Sequence, residues 1–260
     1  MDVQEFRRQI FDAARPVLKG RKLTDLVIGI SMLAVELDAE DIAVSYVLRD
    51  NLPGGCSVFN YASKAVGMDA EEAAEWFVTG GDDVQRAIGG AIMTAASYVL
   101  ELEDSNSPGR PFGVEINADD KVGMVGNIRP VVKQLRRLGC KMIIFDKGSC
   151  SEGNLDENVY PMERQRELLP GCDLVFLSGT TTVNGTAPEL IELCGGARDI
   201  VLLGSSVPMI PAGFKNTGVS IIAGSWWRHE DKEKIFRLIS QGAGMKDLSR
   251  FAIKKNVRVE

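Results

Sequence analysis

Residues 121–138 read KVGMVGNIRPVVKQLRRL, and this stretch decides the fold class. The segment Lys121–Val125 is short, apolar and rich in valine, as a strand buried on both faces should be. Gly126 opens the loop that follows, and apolar residues at helical spacing then predict a helix over Arg129–Leu138. A strand, a glycine-containing loop and a helix in this order predict the beginning of a β-α-β arrangement.

The same alternation continues towards the end of the chain. Short apolar segments predict further strands at Met142–Phe145, Leu174–Leu177, Ile200–Leu203 and Val219–Ile222. Helices are predicted at Pro161–Leu168, Ala187–Leu193 and Asp231–Gln241. This alternation predicts a parallel sheet with helices on both faces, whose ligands bind beyond the carboxyl ends of the strands.

The N-terminal part of the chain has a different pattern, which predicts an α+β domain. The predicted elements are a helix through Phe6–Val17, a hairpin of strands Leu26–Leu37 and Ile42–Leu48, and helices at Asp69–Trp76 and Asp83–Leu102. The cluster of turn formers at Ser105–Pro111 places the boundary near residue 107. We therefore expect an α+β domain over residues 1–107 and an α/β domain over residues 108–260.

Composition excludes several classes of protein. The net charge of -6 argues against a general nucleic-acid binder, which needs a basic face. The single histidine, His229, and the five scattered cysteines form no C-x-x-C or zinc-ligand spacing, so no structural zinc site is predicted. The polar N-terminus and the absence of a long apolar run predict neither a signal peptide nor a membrane span, and we expect a cytoplasmic protein.

Polar side chains follow the first two strands of the α/β part. The glycines Gly123 and Gly126 give only part of the dinucleotide fingerprint G-x-G-x-x-G, so NAD binding is weakly supported. Asn127 is a candidate ligand-binding residue, although it could also cap the next helix. Asp146 ends the second strand, where a carboxylate often holds a diol, and a solvated strand-end carboxylate is an equal alternative.

The third loop, residues 178–186, is the richest in hydroxyls and amides. It reads SGTTTVNGT, and Thr186 with Glu189 forms a predicted capping box at the start of the next helix. A helix N-terminus after so many polar groups predicts an anion or polar-ligand site. The alternative is that the threonines satisfy only the loop backbone. The candidate ligand-binding residues are Thr180, Thr181, Thr182, Asn184 and Thr186.

Four further candidates lie on later or earlier elements. Ser205 and Ser206 place two hydroxyls after the fourth strand. Trp226, beyond the fifth strand, could stack on a planar ligand, cover the edge of the core or form a subunit contact. Glu36, in the first strand run, is a candidate general acid or base.

Three segments together resemble a known family. They are residues 178–186, SGTTTVNGT, residues 203–208, LGSSVP, and residues 218–225, GVSIIAGS. They resemble the putative heavy-metal chelation family, in which a Rossmann-like domain follows a small domain similar to the N-terminal domain of enolase. The resemblance implies a pocket between the two domains. On the Rossmann side it would be lined by Asn127, Asp146, Thr180, Thr181, Asn184, Ser205 and Ser206.

The sequence supports three functional hypotheses. The first is an enzyme at the interdomain cleft that condenses or hydrolyses a small polar or heterocyclic molecule, such as a pterin, flavin or siderophore-like chelator. Asp146 or Glu36 would be its acid or base. The second is a non-catalytic binder of a metal chelate or metabolite, and the third is a nucleotide-dependent Rossmann enzyme. We expect a small-molecule partner, leave a homodimer open, and assign no cofactor and no protein-held metal.

Overall fold

The structure, a computed structural model, describes residues 1–52, 54, 56–147 and 158–260. Cys150 lies outside these ranges. The strands are β1 (Leu23–Ile28), β2 (Met32–Leu37), β3 (Ile42–Tyr46), β4 (Lys121–Val125), β5 (Lys141–Phe145), β6 (Val159–Tyr160), β7 (Leu174–Ser178), β8 (Asp199–Leu203), β9 (Ile221–Trp227) and β10 (Ala252–Arg258). The helices are α1 (Val3–Leu18), α2 (Ala70–Ala74), α3 (Trp76–Thr79), α4 (Asp83–Ala96), α5 (Arg129–Arg137), α6 (Gln165–Leu168), α7 (Thr180–Asn184), α8 (Ala187–Leu193), α9 (Lys232–Ser240) and α10 (Met245–Leu248).

The C-terminal part forms a parallel sheet in the order β9-β8-β7-β4-β5-β6. The chain begins in the middle of this sheet at β4, moves outward through β5 and β6, and then crosses back to β7. The strand order therefore reverses between β4 and β7, which is the arrangement of a doubly wound Rossmann sheet. The protein is an α/β protein, as the sequence pattern predicted.

The sheet also continues into the N-terminal part. Strand β10 pairs antiparallel with β9, and the meander of β1, β2 and β3 joins β9 through the pair Ile42–Trp227. Strand β10 was not predicted, because a segment with two lysines and an arginine lacks the apolar pattern of a buried strand. Strand β10 is buried along only part of its length, so polar residues are tolerated there.

The predicted strand Leu26–Leu37 is wrong, because the chain turns between β1 and β2. Gly29 lies at this turn, where α9 crosses the hairpin. A Cβ atom at Gly29 would lie 2.2 Å from the carbonyl oxygen of Ile239, so the position requires glycine. The predicted hairpin is therefore a three-stranded meander of β1, β2 and β3.

Helices α1 and α4 pack on the sheet and unite the two parts of the chain. The buried side of α1 carries Phe6, Ile10, Ala14 and Leu18, in the spacing that the sequence predicted. These side chains belong to one apolar core cluster that also contains residues of β7 and β8. The boundary near residue 107 stays a prediction, since the two parts share both a sheet and a core.

Candidate functional site

The loops after β4 and β5 meet at the point where the strand order reverses. Gly126 adopts a φ of +93°, and a Cβ atom there would lie 3.0 Å from the Cβ atom of Ser178 at the end of β7. The backbone N–H of Asn127 donates a hydrogen bond to Oδ2 of Asp146, at 2.8 Å. The loop after β4 is therefore close to the ends of both neighbouring strands.

Two hydroxyls complete this group. Oγ of Ser178 and Oγ1 of Thr180 are 2.9 Å apart, and Thr180 is the first residue of α7. We call Asn127, Asp146, Ser178 and Thr180 the switch-point cluster. All four side chains are partly exposed. The structure thus places three predicted site residues around the loop after β4, and it adds Ser178, the first residue of the predicted third loop, which was not among the candidate residues.

The remaining residues of the third loop mainly hold the loop itself. The hydroxyls of Thr181 and Thr182 are buried and donate to the carbonyls of Ser178 and Gly179, at 2.7 and 2.8 Å. These threonines lie in helix α7, which the sequence analysis treated as a loop. Their local hydrogen bonds match the alternative in which the threonines satisfy the backbone.

The predicted capping box at α8 is wrong. Thr186 precedes α8 but its hydroxyl donates to Oδ1 of Asn184 at 2.8 Å, and no side chain caps the helix. Glu189 instead pairs with Arg166. Asn184 and Thr186 are both exposed, and the Asn184 side chain closes the turn at Gly185. Similarly, α5 begins at Arg129 without a side-chain cap, so Asn127 does not cap it.

Two arginines bind the carbonyl end of α7, and an aspartate pairs with one of them. Arg7 donates from Nε to the carbonyl of Thr182 at 3.1 Å and from Nη2 to the carbonyl of Val183. Arg86 donates from Nε to the same Val183 carbonyl at 3.1 Å and pairs through Nη2 with Asp83 at 2.8 Å. Positive side chains are favourable at the carbonyl end of a helix. We call Arg7, Asp83 and Arg86 the arginine joint.

Burial, and secondarily the charge of Arg86, lowers the pKa of Arg7 to about 10, while Asp83 partly opposes this. Sequence reasoning missed the arginine joint. The available signal was Arg7 itself, which lies four residues before Phe11 on the apolar stripe of α1. A charged residue on a buried stripe requires a partner elsewhere in the fold.

Beside the arginine joint, a cleft opens between the two parts of the chain. Its volume is about 410 Å³, and its lining residues are Asn51, Gly81, Asp82, Asp83, Arg86 and Asn184. Nδ2 of Asn51 donates to Oδ2 of Asp83 at 2.7 Å. Asn184 is the predicted site residue that reaches this cleft. It lies at the opposite end of α7 from Thr180, about 6 Å along the helix axis.

Glu36 lies far from the switch-point cluster. Five strands separate β2 from β5 in the sheet order, which corresponds to roughly 25–30 Å at the usual strand spacing. The buried carboxylate of Glu36 accepts hydrogen bonds from Lys232 at 2.8 Å and from Thr24 at 3.1 Å. Glu36 and Asp146 therefore cannot act together on one small molecule.

Ser205, Ser206 and Trp226 lie where the two parts of the chain pack. Ser205 and Ser206 are buried, and Oγ of Ser206 accepts hydrogen bonds from the Tyr46 backbone N–H at 2.9 Å and the Ser45 hydroxyl at 3.0 Å. The Trp226 ring stacks on Tyr98 with centroids 4.9 Å apart. These contacts give Ser206 and Trp226 packing roles, and their binding of a ligand stays a prediction.

Comparison with known families shows to which family the chain belongs. The sequence matches two family profiles with the same description, putative heavy-metal chelation: DUF4213 over residues 11–97 and DUF364 over residues 111–258. The second match alone covers more than half of the chain. The chain belongs to this family.

Relatives of this heavy-metal chelation family member support the fold. An uncharacterized protein of Methanocaldococcus jannaschii is 30% identical over 159 residues, which is 60% of this chain and 60% of that protein. The match thus spans less than two thirds of the relative's length. A DUF364-family protein of unknown function from Pyrococcus horikoshii has a TM-score of 0.77 at 20% identity, covering 98% of this chain and all of that one. One from Desulfitobacterium hafniense has a TM-score of 0.75 at 20% identity, covering 96% and 98%.

In the part of the chain that the structure describes, the side chains of this family member do not fit direct binding of a soft metal. Within residues 1–52, 54, 56–147 and 158–260, no group of three or more histidine, cysteine or acidic side chains could hold a metal ion. Burial raises the pKa of Cys172 to about 11 and that of Cys194 to about 12. The thiolate is the form that binds metals, so these thiols are poor ligands at neutral pH. In the same ranges, no helix is long and apolar enough to cross a membrane.

Proposed function

We propose that the protein binds a small polar molecule at the switch-point cluster and acts on it with Asp146 as the general acid or base. The observation that carries this proposal is that the loop after β4 lies against both the Asp146 carboxylate and the end of β7, where Ser178 and Thr180 form a hydroxyl pair, at the reversal of strand order. In open α/β sheets this is the position at which ligands bind. Partly exposed hydroxyl and carboxylate oxygens suit a ligand rich in hydrogen-bond donors.

The family description names heavy-metal chelation, while the described buried thiols are poor metal ligands. Together these two facts suggest which molecule binds the metal. Because the described cysteines other than Cys56 are buried, the protein would make, modify or hold a chelating small molecule rather than bind the metal with its own thiols. A heterocycle of the pterin, flavin or siderophore-like kind, joined or cleaved by condensation or hydrolysis, fits this role. The metal would be cargo of that product.

One observation favours a non-catalytic binder as the second candidate. A hydrolase or condensing enzyme needs donors aimed at a developing oxyanion. The hydroxyls of Thr181 and Thr182 are buried and already donate to backbone carbonyls, so they are not available for that task. In this alternative the same cluster would hold a metal chelate or metabolite without changing it.

The geometry gives less support to a nucleotide-dependent enzyme. In dinucleotide-binding proteins, the N–H groups after the first strand face the pyrophosphate. Here the Asn127 N–H donates to the Asp146 carboxylate, and Pro130 has no N–H to offer. A carboxylate beside this loop would repel a phosphate.

Thermal-shift screening of the full chain tests the proposal. The probes are pterins, flavins, a catechol siderophore, NAD and S-adenosylmethionine, each with and without iron. We expect a pterin, a flavin or a siderophore to raise the melting temperature, and Asp146→Asn and Thr180→Val to abolish the rise. The matched control is Thr186→Val, an exposed threonine outside the cluster, which should keep it. A response only to NAD, or a rise unchanged in both cluster variants, would refute the proposal.

Two further measurements separate the candidates. Mass spectrometry of the ligand after incubation distinguishes the enzyme, which would convert it, from the binder, which would return it intact. Asn184→Ala tests whether the ligand extends along α7 into the cleft, because Asn184 lines the cleft and not the switch-point cluster. Metal analysis of the purified protein completes the test, since stoichiometric metal without any organic chelator would contradict the role of the small molecule.

A further inference from the structure

Helix α5 carries a row of three cations on its exposed side. Arg129, Lys133 and Arg137 are exposed and follow one another at intervals of four residues, so they lie on one side of the helix, about 6 Å apart along its axis. The opposite side of the helix, which includes Val131 and Leu135, is buried in an apolar cluster with residues of β4 and β5. We call Arg129, Lys133 and Arg137 the basic row.

The fold itself does not account for the basic row. Helix α5 contains no acidic residue, so its cations repel each other at both steps of four residues, and Arg129 lies in the first turn, where the helix dipole disfavours a positive charge. In the part of the chain that the structure describes, no carboxylate forms an ion pair with any of the three. On α1, by contrast, Arg8 pairs with Glu75 and Arg15 with Glu71. The basic row therefore lowers the stability of its own helix, which indicates a role outside the fold.

The basic row lies in a basic part of an acidic chain. Residues 121–147 contain seven lysines and arginines and one aspartate, a net charge of +6, whereas the whole chain carries -6. The remaining residues therefore carry -12 together. This separation of charge predicts that an anionic partner is attracted to the surface of α5 and repelled by much of the remaining surface.

Three classes of anionic macromolecule could meet the basic row. A bilayer requires apolar side chains that are free to insert, but the apolar side of α5 is buried against the sheet. A nucleic acid would extend beyond the row, which spans about 12 Å, and its further phosphates would face the acidic remainder of the surface. A protein needs only a local acidic patch of the same size as the row. The charge distribution therefore favours an acidic protein.

We propose that the basic row is a docking site for an acidic protein partner, which presents a matching row of carboxylates, for example at every fourth residue of one of its helices. Arg129 comes two residues after Asn127 of the switch-point cluster, so the docked partner would lie beside that cluster. If the proposed function holds, the partner is placed to deliver or receive the small molecule. The docking itself does not rest on that function.

Fluorescence anisotropy of the full chain with labelled poly-L-glutamate tests the docking. At about 50 mM salt we expect the combined variant Arg129→Gln, Lys133→Gln and Arg137→Gln to bind about tenfold more weakly than the unmodified chain, whose binding should be lost at about 0.5 M salt. The matched control removes the same charge from exposed lysines outside the row and should weaken binding less than about twofold: Lys19→Gln, Lys64→Gln and Lys246→Gln. Equal weakening in both variants would show attraction by net charge alone and overturn the proposal.

The class of partner is tested with the same proteins. The competing probes are a single-stranded DNA with as many charges as the poly-L-glutamate and vesicles that contain phosphatidylserine. We expect both to bind more weakly than poly-L-glutamate. Tighter binding of either probe would overturn the assignment to a protein. Sedimentation of the chain alone tests a second copy as the partner, and self-association that the three substitutions in the basic row abolish would also overturn the proposal.

The stability of Lys133→Gln tests whether the fold needs the basic row. This substitution removes both repulsive contacts of the row, so we expect the melting temperature to rise by about 1–2 °C. Lys64→Gln, which lies outside the row, should leave it unchanged. A lower melting temperature in Lys133→Gln alone would show that the row stabilises α5, and the argument for a partner would fail.

Discussion

The two ends of helix α7 are held in opposite ways. At its carbonyl end, the arginine joint buries Arg7 and Asp83 almost fully, with relative exposures of 4% and 5%, and its cations bind the helix. At its other end, the Thr180 hydroxyl is partly exposed and is held by the hydroxyl of Ser178. The N-terminal part of the chain thus fixes one end of α7 and leaves the other end facing the reversal of strand order. We therefore expect substitutions at the carbonyl end of α7 to change stability, and substitutions at Thr180, at its other end, to change ligand binding.

Arg7→Met should produce the largest effect, because it removes the buried cation from the arginine joint. The carbonyl of Thr182 would lose its donor and Asp83 part of its compensation, at a cost of about 3 kcal/mol in the free energy of unfolding. Urea denaturation measures this. The control is Arg8→Met on the same helix, where the side chain is 42% exposed and pairs with an exposed Glu75, so about 0–1 kcal/mol is expected. Equal costs for the two variants would contradict a buried joint.

Gly185→Ala should have the next largest effect, because Gly185 ends α7 with a φ of +81°. A Cβ atom there would lie 2.9 Å from Cγ1 of Val3 and 3.1 Å from Nη2 of Arg7, so it would press α1 away from α7. Strain and displacement together should cost about 2 kcal/mol. Gly109→Ala is the control in open space without positive φ, and it should change stability by less than about 0.5 kcal/mol.

The sequence predicted the sheet better than the joint, and the reason is physical. Strands such as Lys121–Val125 are buried on both faces, so local apolarity alone identifies them. Alternation of strands with helices then predicts a parallel sheet, and the resemblance of the loops to a family indicated the fold. The hairpin was misjudged at Gly29, where the need for glycine comes from the carbonyl of Ile239, about 210 residues later. No local pattern contains that information.

The candidate site was predicted only in part for a similar reason. The position of Asp146 and Thr180 at one edge of the sheet could be predicted, because residues at the carboxyl ends of parallel strands converge whatever their side chains are. The inward direction of the Thr181 hydroxyl was not foreseen, since the sequence does not show that residues 180–184 form a helix, and binding of a ligand by Thr181 stays a prediction. Glu36 was misplaced because the order of strands in the joined sheet cannot be read from their order in the chain.

Thr181→Val should have a smaller effect than either change at the joint. Valine keeps the shape of threonine but removes the buried hydroxyl, so the hydrogen bond to the Ser178 carbonyl is lost. The expected cost is about 1 kcal/mol in urea denaturation. If a ligand is identified, its affinity should fall by less than in Thr180→Val, because the hydroxyl of Thr181 is directed into the protein. A complete loss of binding with unchanged stability would contradict this assignment.

Thr180→Val should have the smallest effect on stability of these four substitutions. The hydroxyl is partly exposed and bonds to another side-chain hydroxyl, which water can replace, so the change should stay within about 0.5 kcal/mol. Urea denaturation beside Thr181→Val, one residue away and of the same shape, is a closely matched measurement. Were the two costs equal, the Thr180 hydroxyl would be needed to hold α7 in place. A low cost would instead mean that the fold does not require a hydroxyl at this position, so that loss of ligand binding in Thr180→Val could not be attributed to unfolding.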